Sequence, residues 1–143
     1  MDPWDATPKY KQGLHNVAED CTDCDNVEDS TRYTAVAGRQ YYGRGPLNIK
    51  GNNEYGAFSD AFGPSSYNSA DWFLEEPDLL ETNGYIAWAS AIWFYMTPSF
   101  KNPSMHDVMT NYWAPNSADA SANIVSGFGA TTEIINGDVE CRS

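Results

Sequence analysis

The longest apolar stretch of the sequence reads GYIAWASAIWFYM, from Gly84 to Met96. Asn83 can cap a helix that begins at Gly84, and Pro98 stops that helix from continuing. Because the stretch is apolar on nearly all sides, we expect the helix to lie at the centre of the core. It is too short to cross a bilayer, which takes about 20 residues, so we predict no membrane segment.

Shorter helical segments are predicted on both sides of this stretch, and no internal repeat or sustained alternation of apolar and polar residues indicates strands. The segments are Asn53–Phe62, a turn at Ala70–Glu75 before Pro77, a helix that starts in capping-box style at Ser104–Asp107, and Ala130–Asn136, ended by Gly137. The predicted fold class is therefore mainly α with long loops.

The composition is strongly acidic and rich in aromatic residues. The 143 residues include 8 Lys plus Arg and 20 Asp plus Glu, which gives a net charge of -12. This charge argues against nucleic acid and anionic membranes as partners, because both attract basic surfaces. Aromatic side chains make up 14% of the chain, and their apolar faces and polar tips suit a neutral glycan.

Cysteine and carboxylate spacing does not predict a metal site. Cys21 and Cys24 form a C-x-x-C pair, but no second pair is present to complete a zinc site. We interpret the pair as a local disulfide, with redox chemistry as the less favoured alternative. The acidic run Glu19–Asp29 fails as a calcium loop, because Val27 occupies the third ligand position. We read the run as a solvated loop and predict no metal and no cofactor.

Residues 39–56 are punctuated by glycines and predict tight backbone turns. A phosphate cradle is excluded, because no apolar strand precedes the segment and no Gly-Lys-Ser/Thr ends it.

Several ordered motifs resemble the family 19 chitinases. Tyr41–Leu47 (YYGRGPL) matches the central motif of that family, and Gly127–Gly129 followed by Ile134–Cys141 matches a second motif. Three segments between them match in the same order: Pro77–Leu80, Ala91–Pro98 and His106–Met109. The resemblance covers nearly the whole chain.

The resemblance implies a lysozyme-like, two-lobed helical fold, with residues 1–143 forming a single, partial catalytic domain. It implies endo-hydrolysis of β-1,4-linked N-acetylglucosamine in chitin with inversion, by a monomer outside the cell. No signal peptide is recognisable after Met1. Inversion uses two carboxyl groups about 6.5–9.5 Å apart, one as acid and one as base.

The resemblance assigns Glu19 as the general base, because Gly13-Leu14 precedes it as a similar pair does in the family. The family's general acid belongs to a His-Glu-Thr-like motif before the base. No such motif occurs here, and we expect the acid upstream of Met1. Cys141 matches a family cysteine whose partner we expect beyond Ser143.

Three expected substrate-binding positions depart from the family pattern. Asn48 is present where the family usually has Gln, and Glu54 is present where it has Asn. Lys50 replaces a small hydroxyl residue that helps to hold the catalytic water. Lys50 and Glu54 are four residues apart and could pair in a helix. Three interpretations stay open: a compensated exchange that keeps the site neutral, a site drifting away from catalysis, or a Lys50 that depresses the pKa of Glu19.

The remaining candidate residues are Asn136, Arg44 and Tyr42. Asn136 matches the substrate-binding Asn of the second motif, although an Asn before Gly is also common at a helix end. Arg44 is expected to be buried against a carboxylate and to organise the cleft. Tyr42 is placed in the core or the cleft wall.

Two alternative functions remain open at this point. The missing acid and the changes at positions 50 and 54 favour a chitinase-like protein that binds glycans without turnover. A relative that cleaves peptidoglycan is the other alternative.

Overall fold

The computed structural model of the protein describes residues 27–66, 70–99 and 102–141. Within these ranges the chain forms seven helices, joined by loops: α1 Gly51–Ser66, α2 Trp72–Glu75, α3 Leu79–Thr82, α4 Gly84–Met96, α5 Met105–Met109, α6 Ser117–Ser121 and α7 Phe128–Glu140. The extended pairing in the described part is one antiparallel bridge, between Arg44 and Ile49. The prediction of a mainly α chain is confirmed.

The chain divides into two compact units, Met1–Ala91 and Ile92–Ser143. No helix within the described ranges has both the length and the hydropathy needed to cross a membrane.

Helix α1 is longer than predicted at both ends. It begins at Gly51, where φ is 75°, and it continues past Pro64 to Ser66. Because proline has no backbone N–H, the last turn of α1 lacks one helical hydrogen bond at Pro64. Fully buried Asn52 ties the start of α1 to the preceding loop: its Oδ1 accepts from Glu28 N at 2.6 Å, and its Nδ2 donates to Tyr33 O at 2.6 Å.

An aromatic cluster forms the core of the first unit. The Phe58 and Phe73 rings stack with centroids 4.6 Å apart, and Tyr41 meets Tyr55 edge-on at 5.4 Å. Ser59 Oγ accepts from Phe73 N at 2.8 Å and so fixes α2 against α1. All five residues are completely buried.

Gly56 lets α1 lie close to the preceding loop, because a Cβ at Gly56 would overlap the ring of Tyr33. The ring has little freedom to move aside, since Tyr33 Oη donates to Asp60 at 2.7 Å. We expect Gly56→Ala to lower the free energy of unfolding by about 1–3 kcal/mol through overpacking, measured by urea denaturation.

Gly129→Ala in α7 is the matched control, because a Cβ there meets nothing within 4 Å. Alanine favours a helix over glycine by up to about 1 kcal/mol, so this variant should be unchanged or more stable. Equal effects of the two substitutions would contradict the packing assigned to Gly56.

Helix α4 has the predicted bounds, and Asn83 caps it as expected: Oδ1 accepts from Tyr85 N at 3.0 Å and from Ile86 N at 3.2 Å. The expectation that it lies at the centre of the core is wrong for one of its faces. Tyr85, Trp88, Ile92 and Met96 are 63%, 45%, 64% and 48% exposed. Their spacing of three and four residues places them on a common face, whereas the buried residues of the helix are Gly84, Ile86, Ala87, Ser90 and Ala91.

The second unit contains α5, α6 and α7, with α5 packed against α7. Ser104 caps α5 by accepting from Asp107 N at 3.0 Å, as predicted. Helix α6 was not predicted, although Asn116 and Asp119 form a capping box at its start. Helix α7 consists of two helical segments that meet at Asn136, whose φ and ψ are not helical, so the predicted break before Gly137 is confirmed, and a further segment runs on to Glu140.

Candidate ligand-binding site

The YYGRGPL motif forms a tight reversal that leads into α1. Arg44 N donates to Ile49 O at 3.1 Å, and Asn48 N donates to Gly45 O at 3.1 Å. Gly45 and Asn48 both have positive φ, a conformation that glycine and asparagine tolerate best. A Cβ at Gly43 would overlap the Asn48 amide. The tight turns predicted for this segment are confirmed, and they fix Asn48 against the backbone.

Arg44 lies at the centre of this reversal, with its side chain only 2% exposed. Its Nη2 donates to Asp78 Oδ1 at 2.6 Å, and its Nε donates to Glu81 Oε2 at 3.4 Å. Its Nη1 donates to Gln40 O at 2.8 Å and to Tyr55 Oη at 2.9 Å. One side chain therefore joins the motif to α1 and to the residues that begin and form α3.

Tyr42 covers the guanidinium and shares one of its partners. The Arg44 guanidinium carbon lies 3.6 Å from the centroid of the Tyr42 ring, a close cation–π contact. Tyr42 Oη donates to Glu81 Oε2 at 2.9 Å, while Tyr55 Oη donates to Tyr42 O at 2.8 Å. Burial raises the pKa of both phenols, against the influence of Arg44, so both stay neutral donors. We name Tyr42, Arg44, Tyr55, Asp78 and Glu81 the Arg44 network.

Lys50 and Glu54 follow directly after this reversal. The backbone N–H of Lys50 donates to Glu54 Oε2 at 2.7 Å, so the bond comes from the main chain and not from the ammonium group. Lys50 is exposed, whereas Glu54 is half-buried. Burial raises the pKa of Glu54 to about 7, opposed by the hydrogen bond and the charge of Lys50 and reinforced by the charge of Glu28.

Glu28 was missed as a site residue, because its position in the acidic run suggested only solvation. Asn53 Nδ2 donates to Glu28 Oε2, and a Cβ at Gly51 would lie 3.0 Å from the Glu28 carboxyl carbon. The carboxylate therefore lies against the first turn of α1. No local spacing could have predicted this, since 25 residues separate Glu28 from Asn53.

Asn136 belongs to the second unit, where it forms the kink of α7 with φ -153° and ψ 35°. Two helical segments meet at Asn136, so the alternative interpretation, an Asn at a helix end before Gly137, agrees with the structure. A Cβ at Gly137 would crowd the Glu133 carboxylate. His106 lies edge-on to Tyr95 with ring centroids 6.3 Å apart, a packed arrangement within the same unit.

Glu19, Cys21 and Cys24 lie outside the described residues. Among the residues that are described, no group of three or more His, Cys, Asp or Glu side chains could hold a metal ion.

The sequence and the helical fold are both matched by known proteins. The family model described as chitinase class I, that of glycoside hydrolase family 19, matches residues 4–143. The chain belongs to this family, and its fold is the lysozyme-like helical fold.

Relatives include both endochitinases and a protein named as inactive. Endochitinase 3 of Solanum tuberosum is 41% identical over 140 residues, which cover 96% of this chain and 42% of the relative. Inactive chitinase-like protein 1 of Hevea brasiliensis is 39% identical over 132 residues, which cover 92% of this chain and 38% of that protein.

A crystal structure of a class IV chitinase from Zea mays aligns with a TM-score of 0.56 and 29% identity, covering 83% of this chain and 45% of that chain. The chain spans less than half the length of the relatives it matches.

Proposed function

We propose that this chain acts in the endo-hydrolysis of β-1,4-N-acetylglucosamine linkages in chitin, with inversion and with Glu19 as general base. The observation that carries the proposal is the match of residues 4–143 to the chitinase family. Chitin is the proposed partner, and an extracellular monomer is the proposed form.

In this mechanism Glu19 removes a proton from the water that attacks the anomeric carbon, while a protonated carboxyl group donates to the leaving oxygen. The general acid is not assigned to a residue of this chain. Asn48, Lys50, Glu54 and Asn136 are the proposed ligand contacts. The Arg44 network supports the first three, because it anchors the reversal that contains Asn48 and leads into α1.

Binding without turnover is the second candidate function. The named inactive relative is nearly as similar to this chain as the endochitinase is. The altered positions also favour it, because a lysine and a carboxyl group replace the hydroxyl and amide expected from the family. A site that keeps its turns and hydrogen bonds can still bind a sugar polymer when the proton donor is lost.

The test is to incubate chitin hexamer with a protein that includes the upstream segment expected to carry the general acid, and to analyse the products by mass spectrometry. Release of dimers to tetramers supports the hydrolase. An intact hexamer that nevertheless binds in calorimetry contradicts hydrolysis and supports the second candidate. Clearing of bacterial walls with an intact hexamer would instead assign peptidoglycan as the substrate.

A further inference from the structure

A pocket of about 560 Å³ lies within the second unit and is formed by α7 and the segment that follows α6. This volume falls in the range of about 300–1,000 Å³ that is usual for small-molecule sites. None of the described residues that line it is a proposed chitin contact. Its walls include Ile124, Val125, Gly129, Ala130, Glu133 and Cys141.

One wall is a face of α7 that begins with small residues. Gly129 and Ala130 leave room at this end of the pocket, since a Cβ added at Gly129 would meet nothing within 4 Å. Glu133 is half-buried and lies one turn further along the helix. A Cβ at Gly137 would overlap the Glu133 carboxyl group. The carboxylate therefore lies in the space that a glycine leaves at the kink of α7.

The other wall is the segment after α6, and hydrogen bonds hold it in place. Ile124 N donates to Asp119 O at 2.8 Å, and Ser126 Oγ donates to Trp113 O at 3.3 Å. These bonds fix the backbone on both sides of Val125. A wall that is already ordered lowers the entropic cost of binding a ligand.

The charge around the pocket is negative. Glu133 is the charged side chain among the described residues that line it. From residue 92 to residue 143 the sequence has five Asp and Glu residues against two Lys and Arg residues, and the whole chain has a net charge of -12. A surface field of this sign raises the local concentration of cations and disfavours anions.

We propose that this pocket binds a small organic cation, with its ammonium group on the Glu133 carboxylate and its apolar body against Ile124 and Ala130. A carboxylate has two oxygens and about four acceptor positions, so Glu133 can hold an ammonium group beside a contact within the protein. Apolar walls with one placed charge are the usual composition of a small-molecule site. The site is separate from the proposed chitin contacts and does not depend on hydrolysis.

NMR titration of the isotope-labelled chain with three probes of one length tests the proposal. The probes are hexylammonium, hexanol and hexanoate, used at about pH 7, where an alkylamine is protonated. All three share the apolar body and differ in charge. Hexylammonium should give saturable shifts at the amides that line the pocket. It should bind about 5-fold more tightly than hexanol, the upper end for an ion pair accessible to solvent, and hexanoate should bind most weakly.

Three variants separate the pocket from the general field of the unit. Glu133→Gln should weaken hexylammonium about 5-fold and leave hexanol unchanged. Gly129→Leu should weaken both probes, because the new side chain fills the pocket, while the helix tolerates leucine better than glycine. Asp107→Asn is the matched control: it removes the same charge from α5 of this unit, outside the pocket lining, and should bind as the wild type does.

Hexylammonium that binds no better than hexanol, or does not bind at all, overturns the proposal. Equal losses in Glu133→Gln and Asp107→Asn would also overturn it, because the diffuse charge of the unit would then be responsible. So would undiminished binding to Gly129→Leu, since the probe would then lie elsewhere.

Discussion

Replacing Arg44 with alanine should lower the free energy of unfolding by about 3 kcal/mol, the lower end for breaking a buried charge pair. The guanidinium is almost fully buried and bonds four partners, Gln40, Tyr55, Asp78 and Glu81. Without it, the Tyr55 hydroxyl and the Glu81 carboxylate lose a buried donor. Asp78 is 62% exposed, so water can replace its bond, and for this reason we expect the lower end of the range.

Urea denaturation of Arg44→Ala beside Arg39→Ala measures this effect. Arg39 also forms an ion pair, with Glu76 at 3.0 Å, but both side chains are exposed. Such a pair contributes about 0–1 kcal/mol. Arg44→Lys should fall between wild type and alanine, because a lysine keeps the charge but not the planar set of donors. If Arg44→Ala and Arg39→Ala had equal effects, Arg44 would not be the centre of the network.

In a protein that includes the upstream segment expected to carry the general acid, Glu19→Gln should reduce release of short oligomers from chitin hexamer by a factor of about 100 or more, the usual contribution of general-base catalysis. A glutamine has nearly the same size and can still bond to a sugar, but it cannot take a proton from water. Affinity for the hexamer should therefore stay within a few-fold of the wild type. The measurement is the initial rate of product formation, with affinity determined in parallel.

Glu75→Gln serves as the matched control, because this exposed glutamate lies in α2 and has no assigned part in catalysis. It should turn over at the wild-type rate. A Glu19→Gln protein with undiminished turnover would contradict the assignment of the general base, while leaving family membership untouched.

Capping residues and prolines in the sequence made some helices predictable, whereas other helices carried no such local signal. Helix α4 had visible ends, since Asn83 can cap and Pro98 cannot continue a helix, and its bounds were predicted correctly. The burial of α4 was not predicted correctly, because a sequence that is apolar on all sides does not reveal which side meets the core. The break in α7 was visible in the sequence, because Gly137 follows the non-helical Asn136, whereas the second segment up to Glu140 was not predicted.

The site shows the same division between local and distant determinants. The glycine pattern of residues 39–56 correctly indicated tight turns. The carboxylates that meet Arg44 come from a segment more than 30 residues away, and 25 residues separate Glu28 from its contact Asn53 in α1. The raised pKa of Glu54 comes from burial and from the distant charge of Glu28, so no motif could have predicted it.

The most direct test of the account is an NMR titration of the isotope-labelled chain with chitin hexamer, following the backbone amides. The account predicts saturable shifts at Asn48, Lys50 and Glu54, the residues positioned by the Arg44 network and the first turn of α1. Unmoved amides at these residues while the hexamer binds, with shifts confined to the exposed face of α4 at Tyr85, Trp88 and Ile92, would contradict it.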